Sequence, residues 1–168
     1  MARIAVLCGT GMSAFASQLV SVSGAAASNM RVDSEWGQVP ATIVSIDDDE
    51  VLIIDRHHSD SDSRTPPHRI EHRANVHAAV SFQPKLVLSI NSVGSMCEDI
   101  PPGVIGVAAD VLDLAERPWT FHDDHATHTD RTSCFDPLAS KTCAKTLEAI
   151  QGQVATNLVV AQCVGPQF

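Results

Sequence analysis

Residues 3–11, Arg3-Ile4-Ala5-Val6-Leu7-Cys8-Gly9-Thr10-Gly11, decide how this chain is read. Arg3 to Cys8 is a short, largely apolar run, the pattern of a buried strand. Gly9-Thr10-Gly11 turns the chain, and Ser13 to about Val22 predicts a helix weakened by serines. A buried strand that ends in a small-residue turn and enters a helix is the opening unit of an α/β sheet. In such sheets ligands gather beyond the carboxyl ends of the strands.

Two later segments repeat the arrangement. Val51 to Asp55 predicts a strand that ends in Arg56-His57, and Lys85 to Ile90 predicts a buried strand that ends in Asn91-Ser92-Val93-Gly94-Ser95. Ala41 to Ile46 and Val51 to Asp55 flank the acidic turn Asp47-Asp48-Asp49-Glu50, the pattern of a hairpin. Gly24 to Asn29 is small and polar and predicts a loop. His57 to Arg64 predicts another loop. Thr65-Pro66-Pro67 predicts the start of a helix running to about Ser81, with Thr65 as its cap and Ile70, Ala74 and Ala78 on one face. Farther on, Pro101-Pro102-Gly103 turns into a strand over 104–109. Residues 116–135 are irregular and rich in His and Asp. Asp136-Pro137 starts a helix to about Ile150, and 156–163 predicts a last strand. Strands interleaved with helices, without an internal repeat or a linker, predict one α/β domain over 1–168. Its expected core is a mixed central sheet flanked by helices.

The three strand-end segments share one chemical aptitude. Loop amides, hydroxyls, a guanidinium and an imidazole are the donors that hold an anion of phosphate size. Each has a plainer alternative. Arg56 would instead pair with Asp55 or a loop acid, and Asn91 to Ser95 would be an ordinary glycine turn. Gly9-x-Gly11-x-x-Ala14 after a strand, with Asp33 downstream, also matches part of a dinucleotide fingerprint. His125 and His128 have an i, i+3 spacing that suits a metal, but they lie in a stretch with no helical pattern and no thiol. No Gly-x-Ser-x-Gly elbow is present, and no cysteine stands in an activating context.

Bulk composition narrows the field. The chain has 168 residues, enough for a real core, and is 44% hydrophobic and 18% charged. Its net charge is −9, with only 11 Lys and Arg, scattered. That distribution lacks the clustered basic face of a nucleic-acid binder. No apolar run approaches the length of a membrane span. Five cysteines at wide spacings, with no Cys-x-x-Cys pair, fit neither a disulfide framework nor a zinc site and suit a reducing cytoplasm.

The order of these motifs resembles the trimeric purine nucleoside phosphorylases, in particular the methylthioadenosine or methylthioinosine phosphorylase branch. The matching residues are Cys8-Gly9-Thr10-Gly11, Val32-Asp33-Ser34 with Gly37 and Ala41, and Arg56-His57. They continue with Arg64-Thr65-Pro66-Pro67-His68-Arg69-Ile70-Glu71-His72-Arg73-Ala74-Asn75 and Asn91-Ser92-Val93-Gly94-Ser95-Met96. Pro102-Gly103, Arg117-Pro118, Thr120-Phe121, His128, Phe135-Asp136-Pro137 and Gly165-Pro166-Gln167-Phe168 complete the set.

The resemblance implies phosphorolysis of a purine (methylthio)nucleoside to free base and sugar 1-phosphate. Inorganic phosphate would be the co-substrate, with no metal or redox cofactor. It puts Thr10, Arg56, His57, Asn91 and Ser92 on phosphate-binding positions, and His128 near the sugar of a neighbouring subunit in a cytoplasmic homotrimer. Some positions depart from the family pattern: His58 and Cys8 stand where glycine is usual, His72 replaces a tyrosine, and Gln167 replaces an arginine. Family members also continue past Gly-Pro-Arg-Phe into the part that holds the purine. The expectation is therefore a C-terminally incomplete phosphorylase-like domain that carries the phosphate half of the site. A non-catalytic phosphate- or nucleoside-binding or assembly domain of the same fold, and a dinucleotide-binding module, stand as alternatives.

Overall fold

The computed structural model describes residues 1–60, 63–115 and 120–163. Arg117-Pro118 and Gly165 to Phe168, which figured in the motif reading, lie outside the described residues. The chain divides into two compact units, Met1–Ser92 and a second from Val93 onward.

The first unit is a five-stranded mixed sheet with a helix on each face. Strand β1 (Arg3–Cys8) leads into helix α1 (Phe15–Ser23), followed by β2 (Ala26–Ser34), β3 (Gly37–Ile46) and β4 (Asp49–Asp55). A single 3₁₀ turn, Pro67–Arg69, precedes helix α2 (His72–Ser81), and β5 (Leu86–Ile90) closes the unit. The strand order is β2-β3-β4-β1-β5. β1 runs parallel to both β4 and β5, while β2-β3 and β3-β4 are antiparallel.

Alternation along the strands sorts the core into two layers. Ala5 and Leu7 of β1, Leu52 and Ile54 of β4, and Val39 and Ala41 of β3 face Ala74, Ala78 and Ala79 of α2. Val6, Cys8, Val44 and Ile53 point to the other face, where Phe15, Ala16, Leu19 and Val20 of α1 cover them. The small residues of α2 let it lie close on the sheet, and Ile70 is buried just ahead of it.

Three local expectations are corrected. Ala26 to Asn29 is strand, not loop. β2 pairs with β3 along its whole length, from Ala26↔Ser45 to Ser34↔Gly37, so the backbone ladder overrides the weak propensity of small polar residues. The helix after Pro66-Pro67 does not run unbroken. Ile70 is extended (φ −63°, ψ 129°) between the 3₁₀ turn and α2, and Glu71, not Thr65, caps α2 by accepting the Arg73 backbone N–H. β5 is not a buried strand. It is bonded on one side only, within its sheet, and Val87 and Ser89 are exposed.

The second unit holds β6 (Gly106–Asp113), helix α3 (Pro137–Gln151) and β7 (Ala155–Gln162), with β6 and β7 parallel. Asp136 caps α3 as its sequence predicts, accepting from the Ala139 backbone N–H at 2.7 Å. Gln151 ties the helix end to the start of β6, donating to the Ile105 carbonyl at 2.7 Å and accepting from the Ile105 N–H at 3.3 Å. β6 begins two residues later than 104 and extends to Asp113, because its pairing with β7 persists to Asp113↔Gln162. No described residue from Val93 onward is buried.

Candidate functional site

Strand register brings the three predicted segments together. In the order β4-β1-β5, Cys8 lies opposite Asp55 on one side and Ile90 on the other. The next residues of the three parallel strands, Gly9, Arg56 and Asn91, must therefore emerge side by side. Backbone bonds extend the ladder one step: the Gly9 N–H donates to the Ile90 carbonyl at 2.8 Å, and the Arg56 N–H to the Cys8 carbonyl at 3.0 Å.

Side chains then close around the Gly9-Thr10-Gly11 turn. Ser92 Oγ donates to the Thr10 carbonyl at 2.8 Å. Thr10 Oγ1 stands 3.3 Å from His57 Nε2. The other ring nitrogen, Nδ1, lies 2.9 Å from the Thr65 carbonyl oxygen. A carbonyl only accepts, so Nδ1 carries a proton and the Thr65 backbone fixes the ring with Nε2 toward Thr10. His57 is buried, and its own N–H donates to Asp55 Oδ1 at 2.9 Å. Gly11 adopts φ 83°, the left-handed conformation that lets the loop double back.

Arg56 does not neutralise Asp55 through a fork. Arg64 does so, with Nη1 2.7 Å from Oδ2 and Nη2 2.7 Å from Oδ1. The Arg56 guanidinium instead lies against the first loop, so close that a Cβ on Gly9 would sit 2.6 Å from its Nη2 and 3.2 Å from Asn91 Oδ1. Its Nε is buried and has no hydrogen-bond partner among the described residues. Burial lowers the Arg56 pKa from its ordinary value, against the opposing pull of Asp55. A half-desolvated guanidinium beside hydroxyls and loop amides offers the donor chemistry that suits an anion.

The neighbouring ionisable groups follow the same burial logic. The Cys8 thiol is pushed up to about 11, first by burial and then by the Asp55 carboxylate, so it stays protonated. His72 is pushed below its ordinary value by burial and next by Arg56. His58 is lowered chiefly by burial, with Asn75 opposing.

Thr10, Arg56, His57, Asn91 and Ser92 thus share one corner of the first unit. His128 belongs to the second unit, in an exposed stretch without regular secondary structure. Asp33 is poorly placed for the dinucleotide alternative. It lies on the antiparallel edge strand β2, three positions from β1 in the sheet, and accepts from Gln38 Nε2 at 2.6 Å. The sequence reading missed the supporting parts: Asp55, Arg64 and the Thr65 carbonyl. Their signal was an acid and two arginines bracketing one polar loop. Among the described residues no group of three or more His, Cys, Asp or Glu side chains is placed to hold a metal ion. No helix among them is long and apolar enough to cross a membrane.

A family model described as the phosphorylase superfamily matches residues 3–168. The chain belongs to that superfamily. It is 38% identical over 138 residues to a probable S-methyl-5'-thioinosine phosphorylase of Methanosarcina acetivorans, covering 82% of this chain and 52% of that protein. It is 30% identical over 138 residues to a 6-oxopurine nucleoside phosphorylase of Pyrococcus furiosus, covering 78% and 46%. The crystal structure of a methylthioadenosine phosphorylase from an antarctic soil metagenomic library superposes with a TM-score of 0.83 at 18% identity, covering 99% of this chain and 58% of that one. This superfamily chain therefore spans about half the length of the curated relatives it matches. The phosphorylase-like mixed α/β fold expected from its motifs is the fold it adopts.

Proposed function

We propose that this chain binds inorganic phosphate through Thr10, Arg56, His57, Asn91 and Ser92, and that it serves purine nucleoside phosphorolysis. The observation that carries the reading is the Arg56 guanidinium, buried at Nε and pressed against the Gly9 loop, while Arg64 occupies the nearby carboxylate. In the reaction a phosphate oxygen bonds to C1′ of the sugar as the bond from C1′ to the base nitrogen breaks. The bonding pair leaves with the purine, which takes up a proton. The products are free base and sugar 1-phosphate. Positive charge builds on the sugar in the transition state, and a phosphate held in place by fixed donors stabilises it without reorganisation. Phosphate itself is the nucleophile, so the step asks for neither a metal nor a redox cofactor.

The names of the relatives favour a 6-oxopurine or 5′-methylthio nucleoside as the substrate class. His128 is assigned to the sugar of a neighbouring subunit in a homotrimer. The exposed apolar side chains of the second unit, including Leu112, Phe135, Leu138 and Val159, support assembly. Five free cysteines favour a cytoplasmic setting.

The test is a pair of titrations. Phosphate added to isotope-labelled protein should shift the resonances of Thr10, Arg56 and Ser92. Methylthioinosine, methylthioadenosine or inosine plus phosphate should release free purine. Silence of those resonances at millimolar phosphate overturns the site. Phosphate binding without any base release favours the non-catalytic binding domain instead.

A further inference from the structure

Hydrogen bonds in the anion cluster can be followed proton by proton. A hydroxyl has one proton to give, and so does a neutral imidazole. The Ser92 hydroxyl proton is committed to the Thr10 carbonyl at 2.8 Å, since a carbonyl only accepts. The His57 proton is held at Nδ1 by the Thr65 carbonyl at 2.9 Å. Nε2 of a neutral ring therefore offers a lone pair, and across the 3.3 Å to Thr10 Oγ1 the hydroxyl must be the donor. With the ring neutral, the side chains of Thr10, His57 and Ser92 have given each of these protons to protein atoms. Three of the five residues assigned to an anion then have lone pairs, not protons, left for it.

A single proton reverses that polarity. Added at Nε2, it makes the ring the donor to Thr10 Oγ1. The Thr10 hydroxyl proton is released from His57 and can turn to an oxygen of a bound anion. The Thr65 carbonyl keeps its hold on Nδ1, so the ring need not move.

Charge points the same way. Beside His57, Asp55 is already neutralised by the Arg64 fork. Cys8 stays protonated, and burial holds His58 and His72 below the usual imidazole range, so none of the three is charged at neutral pH. At the start of α2, Glu71 is paired with Arg73 at 3.0 Å, and Arg69 is exposed and screened by solvent. Arg56 thus brings one uncompensated positive charge to the cluster, against the two negative charges of a dianion. One more proton balances the site.

We propose that anion binding here is proton-linked: His57 Nε2 takes up one proton as a tetrahedral dianion binds, and Thr10 turns its hydroxyl proton to the anion. With phosphate, the proton comes from solvent or from the phosphate monoanion, which is left as the dianion. With sulfate it comes from solvent alone. The inference rests on the reading of this cluster as a phosphate site and adds the form it takes, a dianion together with one proton.

Sulfate is the cleaner probe, because it has no proton of its own near neutral pH. Calorimetric titrations of the full chain in two buffers of different ionisation enthalpy should show about one proton taken up per sulfate bound at about pH 8. Sulfate affinity should fall by up to about tenfold per pH unit above neutrality, the limit for one linked proton. Nitrogen-15 spectra should show His57 Nε2 unprotonated in the free protein and protonated in the complex, with His58 and His72 unchanged. H57Q puts a permanent amide donor in place of the ring, so it should bind sulfate without proton uptake and with little dependence on pH. Sulfate or phosphate bound without proton uptake, or with Nε2 still unprotonated, overturns the proposal. Uptake that persists in H57Q also overturns it, because the proton then resides elsewhere. If H57Q does not fold, the Nε2 signal of the unsubstituted protein decides. If phosphate binds and sulfate does not, the Nε2 signal of the phosphate complex decides. If neither anion binds, the phosphate reading itself falls and this inference with it.

Discussion

Replacing Gly9 by alanine adds one methyl group at the most crowded point of the anion cluster. The new carbon would lie 2.6 Å from Arg56 Nη2, 2.8 Å from the Ile90 carbonyl oxygen and 3.2 Å from Asn91 Oδ1. Gly9 is not among the residues with positive φ, so its backbone tolerates alanine and the effect is one of contact. The three neighbours differ in how readily they yield. The Arg56 tip is the end of a flexible side chain, whereas the Ile90 oxygen is held by the Gly9 N–H at 2.8 Å and by the β1-β5 ladder. Arg56 therefore swings out first, and the strand ends part slightly.

Overpacking of this kind destabilises by about 1–3 kcal/mol, or about 2–4 °C in Tm per kcal/mol for a chain of this size. A lost charge-assisted hydrogen bond to phosphate is worth about 1.5–3 kcal/mol, which weakens binding about 10- to 150-fold. Calorimetric titration of phosphate into the G9A, R56A and G9A/R56A proteins measures both effects. Because the methyl acts through Arg56, G9A should add little to the binding loss already caused by R56A, a strongly non-additive cycle. Additive losses, or G9A protein that melts earlier yet binds phosphate as tightly as before, would refute the placement of Arg56 at the anion.

Other expectations follow from burial. Cys8, with its pKa near 11 rather than 9.0, should resist alkylation at pH 8 until the protein unfolds, whereas exposed Cys97 and Cys163 should react at once, as peptide mapping would show. The same shift lets the folded state hold a proton that the unfolded state loses, so stability should decline between about pH 9 and 11, a decline that C8A removes in urea melts. His58 and His72 have the opposite sign. Their folded pKa values lie below 6.5, so stability is full above that pH and falls as acid protonates the unfolded chain preferentially, and H58Q/H72Q should flatten the slope between pH 6.5 and 5. Leu52 is fully buried between α2 and the sheet, so L52A should destabilise by about 2–5 kcal/mol in denaturant unfolding, whereas V22A on an exposed helix end should change little.

What the sequence disclosed followed the range of the forces involved. β1, the β3-β4 hairpin and the Asp136 cap were readable because each is set by neighbours within a few residues. β2 was not, since its alanines and serines become strand only through a ladder with β3. The break at Ile70 was hidden for a similar reason: Thr65 has the chemistry of a cap, but the chain bends at Ile70 before α2 begins. Residue types named the members of the anion cluster, and their nearness depends on one register, with Cys8 facing Asp55 and Ile90 at once. Which arginine takes Asp55 was also undetermined. Arg56 adjoins it in sequence, but alternation at the strand end turns Arg56 toward the Gly9 loop, and the loop returns Arg64 to the carboxylate.

Burial is distributed unequally between the two units, and that bears on what each can do. Every fully buried side chain among the described residues lies before residue 80. The β6-α3-β7 unit is well hydrogen-bonded, yet a two-stranded parallel pair with one helix cannot shield both of its faces, and parallel sheets are stable where both faces are covered. Leu112, Leu114, Phe121, Phe135, Leu138, Ile150 and Val159 are accordingly exposed. The sheet register that brings Gly9, Arg56 and Asn91 together is set by strands of the first unit. The anion binding proposed for the five clustered residues thus draws on the first unit's side chains. A reaction that also needs His128 depends on whatever covers the second unit's apolar surface, so affinity for phosphate and turnover of nucleoside should respond to different conditions.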